Sequence, residues 1–302
     1  MQTVVEVNQF RKQYGKLVAA DEITFSVQKG EIFGLLGPNG AGKTTTLESL
    51  EGLRQPDGGS LRVMGLDPAR QPQRLRNLVG VQLQSSGLPA NMTVAEAMQF
   101  FCAYHQVAPR MDLIERLGLA EKQHTQFQSL STGLQRRLAL ALAIAHNPPV
   151  VILDEPTAGL DVPSRIELHA LMSELRAGGT SILLATHDMA EAEKMADRVA
   201  ILFNGKIVVT GTPNQITATG KTLTKISVSS EGGCLSTNAN DFPAVSRHFE
   251  KDGYNVFFSE QPGQTVIAVI HYLEDHHDPL VDLRVERPSL EERFLEITQT
   301  NN

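Results

Sequence analysis

The stretch Gly37-Pro38-Asn39-Gly40-Ala41-Gly42-Lys43-Thr44-Thr45 decides how the rest of the chain is read. Its first eight residues fit G-x-x-x-x-G-K-[ST], and the apolar run Ile32-Phe33-Gly34-Leu35-Leu36 before it reads as a buried strand. Residues 45–53, with Leu47 and Leu50 three apart, read as the helix that follows. Strand, glycine loop and helix in that order form the setting in which such a loop binds a polyphosphate. Glycines let backbone N–H groups wrap the phosphate oxygens at φ values that a Cβ would forbid. The helix N-terminus adds a partial positive charge there. Lys43 supplies a full charge for the terminal phosphates, and the Thr44 hydroxyl is placed to ligate Mg2+.

Working outward, residues 4–10 and 23–27 read as short strands and Asp57-Gly58-Gly59 as a turn leading to a strand over 61–64. Residues 79–84 alternate, with both Gln82 and Gln84 on one face. Thr93 and Glu96 make a capping box for a helix over 93–105, and another helix is expected over 111–119. Val150-Val151-Ile152-Leu153 is a continuous apolar run, as in a parallel strand buried on both faces, and it ends in Asp154-Glu155. A helix over 163–177 follows, then a second buried strand, 181–185, ending at Thr186-His187, then a helix capped by Asp188. Strands that end in polar residues and feed helices imply an open parallel sheet with its ligand at the strand carboxyl ends.

The pattern changes after Gly211-Thr212-Pro213. Beyond it the sequence predicts a strand at Ile226 and Val228, a helix through Val245, His248 and Phe249 stopped by Gly253, and strands over 254–258, 266–270 and 281–285. A last helix starts at Ser289, boxed by Glu292. The expected fold is therefore α/β: a mostly parallel core sheet, an N-terminal antiparallel β part, a helical subdomain at about 85–146, and a small α+β C-terminal appendage. The expected domains are 1–215 and 216–302.

A chain of 302 residues with 41% hydrophobic and 20% charged residues is ordinary for a globular protein of this organisation. Its net charge of -7 argues against a general nucleic-acid binder, so no nucleic-acid partner is expected. The two cysteines, Cys102 and Cys234, lack metal-ligand spacing and suit a reducing compartment. The start has no basic segment leading into an apolar core, and the longest apolar stretch, 138–145, is far short of the roughly 20 residues that span a bilayer. The expected location is cytoplasmic, and any membrane role would come through a partner.

A phosphate loop alone leaves a kinase, a GTPase or a motor open. Asp154 and Glu155 at a strand end narrow the choice: one carboxylate can hold Mg2+ through water, and its neighbour can orient and deprotonate a hydrolytic water. His187, at the end of the neighbouring strand, is placed to bond the γ-phosphate or that water.

The stretch Leu130-Ser131-Thr132-Gly133-Leu134-Gln135, followed by Ile152-Leu153-Asp154-Glu155-Pro156-Thr157-Ala158-Gly159-Leu160-Asp161, resembles the nucleotide-binding subunit of ATP-binding cassette transporters, a P-loop NTPase fold. The resemblance covers residues 1 to about 215. It implies that ATP and Mg2+ are bound, with Pro38, Asn39, Gly40, Ala41, Gly42 and Thr45 contributing to the loop and Tyr14 stacking on adenine. It makes Glu155 the catalytic base, His187 the γ-phosphate contact, and Gln84 a magnesium ligand and sensor of the membrane partner. Alternation alone leaves Gln82 open, whereas spacing favours Gln84. Ser131, Thr132 and Gly133 would bind the ATP of a second ATPase subunit, a homodimer partner, with Asp161 reaching across the same interface. Thr132 stands where the family usually has glycine, so the backbone there must suit a β-branched residue.

The ending Glu286-Arg287-Pro288-Ser289-Leu290-Glu291-Glu292-Arg293-Phe294-Leu295 is similar to that of daunorubicin-resistance-type exporter ATPases, which act on drugs, lipids or polysaccharides. The expected function is thus the ATPase that powers a separate polytopic transmembrane subunit at the cytoplasmic face of the inner or plasma membrane. An importer ATPase and a soluble cassette acting on DNA or ribosomes are the alternatives. Against the DNA-repair form, the segment between Gln84 and Leu130 is short and has no heptads. Against a GTPase, no Asn-Lys-x-Asp appears.

Overall fold

The computed structural model describes residues 2–83, 87–218, 223–236 and 242–300. Strands β1 (Thr3–Tyr14) and β2 (Leu17–Gln28) form an antiparallel hairpin, and β3 (Ile32–Leu36) leads through the glycine loop into α1 (Lys43–Leu50). Then come β4 (Gly58–Val63), α2 (Pro72–Leu75), β5 (Val79–Gln82), α3 (Val94–Tyr104), α4 (Met111–Arg116) and α5 (Thr132–Ile144). The core continues with β6 (Val150–Asp154), α6 (Val162–Ala177), β7 (Ser181–Thr186), α7 (Met189–Met195), β8 (Arg198–Phe203) and β9 (Lys206–Gly211). After α8 (Pro213–Ala218) the chain adds β10 (Thr224–Ser230), β11 (Val245–Lys251), β12 (Tyr254–Ser259), α9 (Pro262–Asp275), β13 (Leu280–Glu286) and α10 (Leu290–Thr300). The contacts divide the chain into two compact units, Met1–Pro213 and Asn214–Asn302.

The first unit holds a six-stranded sheet in the order β5-β6-β7-β3-β8-β9, parallel throughout except for the β8–β9 hairpin. A separate antiparallel sheet runs β2-β1-β4. Every residue of β3, β6 and β7 is buried, which is why their sequences are continuously apolar instead of alternating. One face of β6, Val151 and Leu153, joins a core with Met98 of α3, Leu138 of α5 and Leu168 of α6. The other face, Val150 and Ile152, joins Phe10 and Val27 of the antiparallel sheet and Leu47 of α1. The strand order places the carboxyl ends of β6, β7 and β3 side by side, so the segments leaving them converge.

Local signals explain the helix starts. Thr93 and Glu96 close the expected capping box on α3, the Thr93 N–H donating to Glu96 Oε2 at 2.8 Å and the Glu96 N–H to Thr93 Oγ1 at 3.3 Å. Ser289 and Glu292 do the same at the start of α10. The sequence reading missed the β8–β9 hairpin, whose Asn204 and Gly205 both have positive φ, 49° and 77°.

In the second unit the sheet order is β11-β12-β10-β13, all antiparallel, with Val269 and Leu273 of α9 packed against Ile226, Val228 and Phe257. Two expectations are overturned here. Residues 245–251 form a strand, not a helix: Asp252 and Gly253, at φ 52° and 79°, make a two-residue hairpin that pairs β11 with β12. Residues 266–270 lie inside a helix, α9, which starts at Pro262 and buries Thr265, Val269 and Leu273 four residues apart.

Candidate functional site

The loop between β3 and α1 is held by backbone on both sides. A Cβ at Gly37 (φ 153°) would lie 2.2 Å from the Leu202 carbonyl oxygen, and one at Gly42 (φ 105°) 2.2 Å from that of Ala19. Close approach therefore dictates glycine at both ends, independently of any ligand. Between them Pro38 is half-buried, Asn39 and Gly40 are exposed and Ala41 is buried; Thr44 is exposed and Thr45 half-buried. Lys43 is buried, donates from Nζ to the Gly37 carbonyl (2.7 Å) and the Pro38 carbonyl (3.3 Å), and lies 3.4 Å from Glu155 Oε1.

Asp154 ends β6 facing α1. The Thr44 hydroxyl donates to its Oδ2 at 2.9 Å, while its Oδ1 is buried without a hydrogen-bond partner among the described residues. Burial raises this carboxyl above its ordinary range, against the Thr44 hydrogen bond; the neighbouring Glu155 adds to the rise and Lys43 opposes it. A hydroxyl beside an orphaned carboxylate oxygen is the hard oxygen donor chemistry that suits Mg2+, so the residues present fit that ion.

Glu155 is buried and has φ 51°, a left-handed conformation that costs on the order of 1–3 kcal/mol and persists only where the surroundings over-determine it. Here they do. Its N–H donates to the Ala185 carbonyl at 2.9 Å, and its own carbonyl accepts from Arg136 Nη1 of α5 at 2.6 Å. Its carboxylate lies between Lys43 and His187, with Oε2 2.8 Å from His187 Nδ1. The geometry thus brings Lys43, Thr44, Asp154, Glu155 and His187 together. Arg136 was missed in the sequence, where an arginine beside the helix stripe carries no signal of its backbone acceptor.

Tyr14 ends β1, partly exposed, with Lys12 Nζ 5.6 Å and the Arg54 guanidinium 5.4 Å from its ring centre. Gln84 lies outside the described residues. Gln82 is buried in β5 opposite Leu153, and its Oε1 has no partner among the described residues.

The remaining expected residues stand at the starts of two helices. Ser131 is the N-cap of α5, its hydroxyl oxygen accepting from the Leu134 N–H at 3.3 Å. Thr132 opens that helix without a positive φ, which accounts for a β-branched residue there, and Gly133 follows. Asp161 caps α6 through the Ser164 N–H at 3.0 Å, and hydrogen bonds from Ser164 hold its carboxyl below the ordinary range. Among the described residues none of these four is hydrogen-bonded to the loop 37–45.

A groove of about 240 Å³ opens between α3, α5 and β5, with Phe101, Tyr104, His105 and His146 on its walls. Phe100 and Tyr104 are exposed beside it. Glu51 also faces the groove; burial, with Asp154 and Glu48 nearby, pushes its carboxyl up to about 8. Among the described residues no helix is long and apolar enough to cross a membrane.

Residues 20–158 match the family described as ABC transporter. Over 98% of its length the chain is 34% identical to the Nod factor export ATP-binding protein I of Ralstonia nicotianae, covering 94% of that protein. Over 72% of its length it is 35% identical to the probable multidrug ABC transporter ATP-binding protein YbhF of Escherichia coli, covering 38% of that longer protein. A solved structure described as the ATP binding subunit of an ABC transporter superposes with a TM-score of 0.67 at 29% identity, over 72% of this chain and 92% of that one.

Proposed function

The chain belongs to the ATP-binding proteins of ABC transporters, ATP hydrolases coupled to transport, and from that premise we propose that two copies close around two shared ATP sites and drive export through a separate polytopic transmembrane subunit. The observation that carries the reading is that Lys43, Glu155 and His187 meet within one chain while Ser131 caps its own helix and, among the described residues, makes no hydrogen bond to the loop 37–45. One loop and one such cap per chain call for two chains.

In this reading ATP lies along the loop 37–45, with Tyr14 under its adenine and Lys43 leaving the Gly37 and Pro38 carbonyls to meet the terminal phosphates. Thr44, Asp154 and Gln84 hold Mg2+, which when bound neutralises charge on the β- and γ-oxygens. Glu155, released from Lys43, accepts a proton from the attacking water, a contribution of about 10²- to 10⁴-fold in rate. His187, whose Nδ1 faces Glu155, bonds the γ-phosphate or the water through its other nitrogen. Ser131 to Gly133 and Asp161 of each copy complete the site of the other, with α5's N-terminus as the second anion cap.

Residues 1–215 make up this engine, and residues 216–302 a separate appendage. The groove beside α3 and α5 takes a helix of the membrane partner, holding the chain at the cytoplasmic face of the membrane. The relatives' names, Nod factor export and multidrug transport, favour export, and a drug, a lipid or a polysaccharide is the substrate class.

Purifying the Glu155→Gln variant from native membranes with ATP tests the whole reading. The expected product is an ATP-bound dimer with a polytopic protein attached and turnover down about 10²- to 10⁴-fold. Undiminished turnover would remove Glu155 as the base, and recovery with ribosomes or DNA in place of a membrane protein would overturn the transporter assignment.

A further inference from the structure

Helix α5 reaches two places at once. At its N-terminus stands Ser131, which in the shared-site reading meets the ATP held by the other copy. Five residues on, about 7.5 Å along the axis, Arg136 donates its Nη1 hydrogen to the carbonyl of Glu155, the base for this copy's own ATP. At 2.6 Å this bond is shorter than the one that the same carbonyl accepts from the Ala158 N–H at 3.3 Å. A charged donor to a backbone carbonyl is also the stronger kind.

The neighbouring arginine is used differently. Arg137 bonds the Leu117 carbonyl and Ser164 Oγ and pairs with Glu167, so it fastens α5 to α6 and to the end of α4. Arg136 instead leaves its Nε buried without a partner among the described residues while committing Nη1 to the catalytic turn. An unsatisfied buried donor is unfavourable, so the arrangement is held for the Glu155 contact and not for the best pairing of the guanidinium. Glu155 holds a left-handed backbone, and from the helical side its carbonyl is held by Arg136.

We propose that Arg136 is a positioning residue through which ATP bound by the partner copy, acting on the N-terminus of α5, sets the Glu155 turn for hydrolysis of this copy's ATP. The inference rests on the shared-site dimer proposed above. A helix moves as a rigid body over such a distance, so seating Ser131 on a phosphate fixes the guanidinium one and a half turns away. Each site is thereby readied by occupation of the other.

The test compares full-length wild type, Arg136→Ala and Arg136→Lys in ATP titrations of hydrolysis, with nucleotide affinity and unfolding temperature measured separately. Wild type is expected to hydrolyse with a Hill coefficient near 2, and Arg136→Ala with one near 1. The alanine variant should lose about ten- to a hundred-fold in kcat, since misplacing a reacting group by an ångström costs on that scale, while its nucleotide affinity holds within about twofold. Arg136→Lys, which can still donate one charged bond to the carbonyl, should recover most of both kcat and cooperativity. An alanine variant as cooperative and as fast as wild type overturns the proposal. So does a loss of kcat with cooperativity intact, which would make the contact local to the turn, or a lysine variant as impaired as alanine with a lowered unfolding temperature, which would make it packing. A wild type that hydrolyses without cooperativity and an Arg136-intact Glu155→Gln chain that stays monomeric with ATP would remove the shared-site reading itself.

Discussion

The loop 37–45 and the capping turns at Ser131 and Asp161 serve the same proposed site, yet they are built in opposite ways. Around the loop, Lys43, Asp154 and Glu155 are buried and the groups are joined within the chain: Lys43 to Glu155, Glu155 to His187, Thr44 to Asp154. Ser131 and Asp161 are exposed and spend their side chains on capping the helices that they begin. One half is wired within the chain, where burial makes each electrostatic contact strong and each orphaned atom costly. The other half keeps its groups at a surface, where a second molecule can take them at little desolvation cost.

A mixing experiment puts the largest strain on this contrast. Lys43→Ala disables the buried half and Ser131→Arg the exposed half, so each variant alone should be inactive. Mixed in equal amounts they are expected to recover hydrolysis, because a hybrid dimer pairs the intact loop of one chain with the intact cap of the other. Roughly a quarter of the wild-type sites would be restored, each working about ten- to a hundred-fold below the wild-type rate if the partner's ATP sets the base through α5, because the chain with the intact loop carries Ser131→Arg and faces a disabled loop in its partner. Failure of the mixture to exceed either variant, with hybrid dimers present, would place both halves of a site in one chain.

A smaller effect is expected at Tyr14, an exposed member of the loop half. Tyr14→Ala should weaken ATP binding by about 1–3 kcal/mol, the range for loss of an aromatic platform under a base, with kcat at saturation unchanged. Calorimetry on the ligand-free chain reads this directly. An unaltered affinity would move the adenine contact away from β1.

The smallest effect concerns stability. Burial holds the Asp154 carboxyl above its ordinary value in the folded, ligand-free chain, so the folded state binds more protons than the unfolded one between those two values. Its contribution is therefore fully present below the unfolded value near 3.8 and is lost as pH rises through the raised folded value. Asp154→Asn should remove that slope and raise the unfolding temperature of the ligand-free chain at neutral pH, while weakening the rise that Mg2+ and ATP produce in wild type. A pH series of unfolding temperatures with and without nucleotide checks both parts, and an unchanged slope would mean that Asp154 carries no such cost.

Legibility in the sequence followed the strength of local constraint. The segment 32–45 could be read because buried parallel strands are apolar throughout and because the loop's glycines are forced by backbone contacts of 2.2 Å. Residues 150–155 and 181–187 were legible for the first of these reasons. In the second unit the same method failed twice. Val245, His248 and Phe249 have helical spacing, but the segment lies beside a Asp252-Gly253 hairpin turn, and cross-strand pairing with β12 outweighs a weak helical pattern. Residues 266–270 are apolar in succession, a pattern that a strand and a half-buried helix share at that length. The length of α9 and its start at Pro262 resolve it.

From the sequence alone came the order of strands and helices around the loop, the acidic pair at a strand end and the family resemblance, all properties that short stretches encode through burial and backbone geometry. Only the tertiary structure decided which groups meet. It brought Glu155 between Lys43 and His187, set its backbone in a left-handed conformation, and anchored that conformation by Arg136 from a helix nineteen positions earlier in the chain. Such contacts depend on how β6, β7 and α5 pack against one another, and no local pattern records where a side chain's distant backbone acceptor will lie.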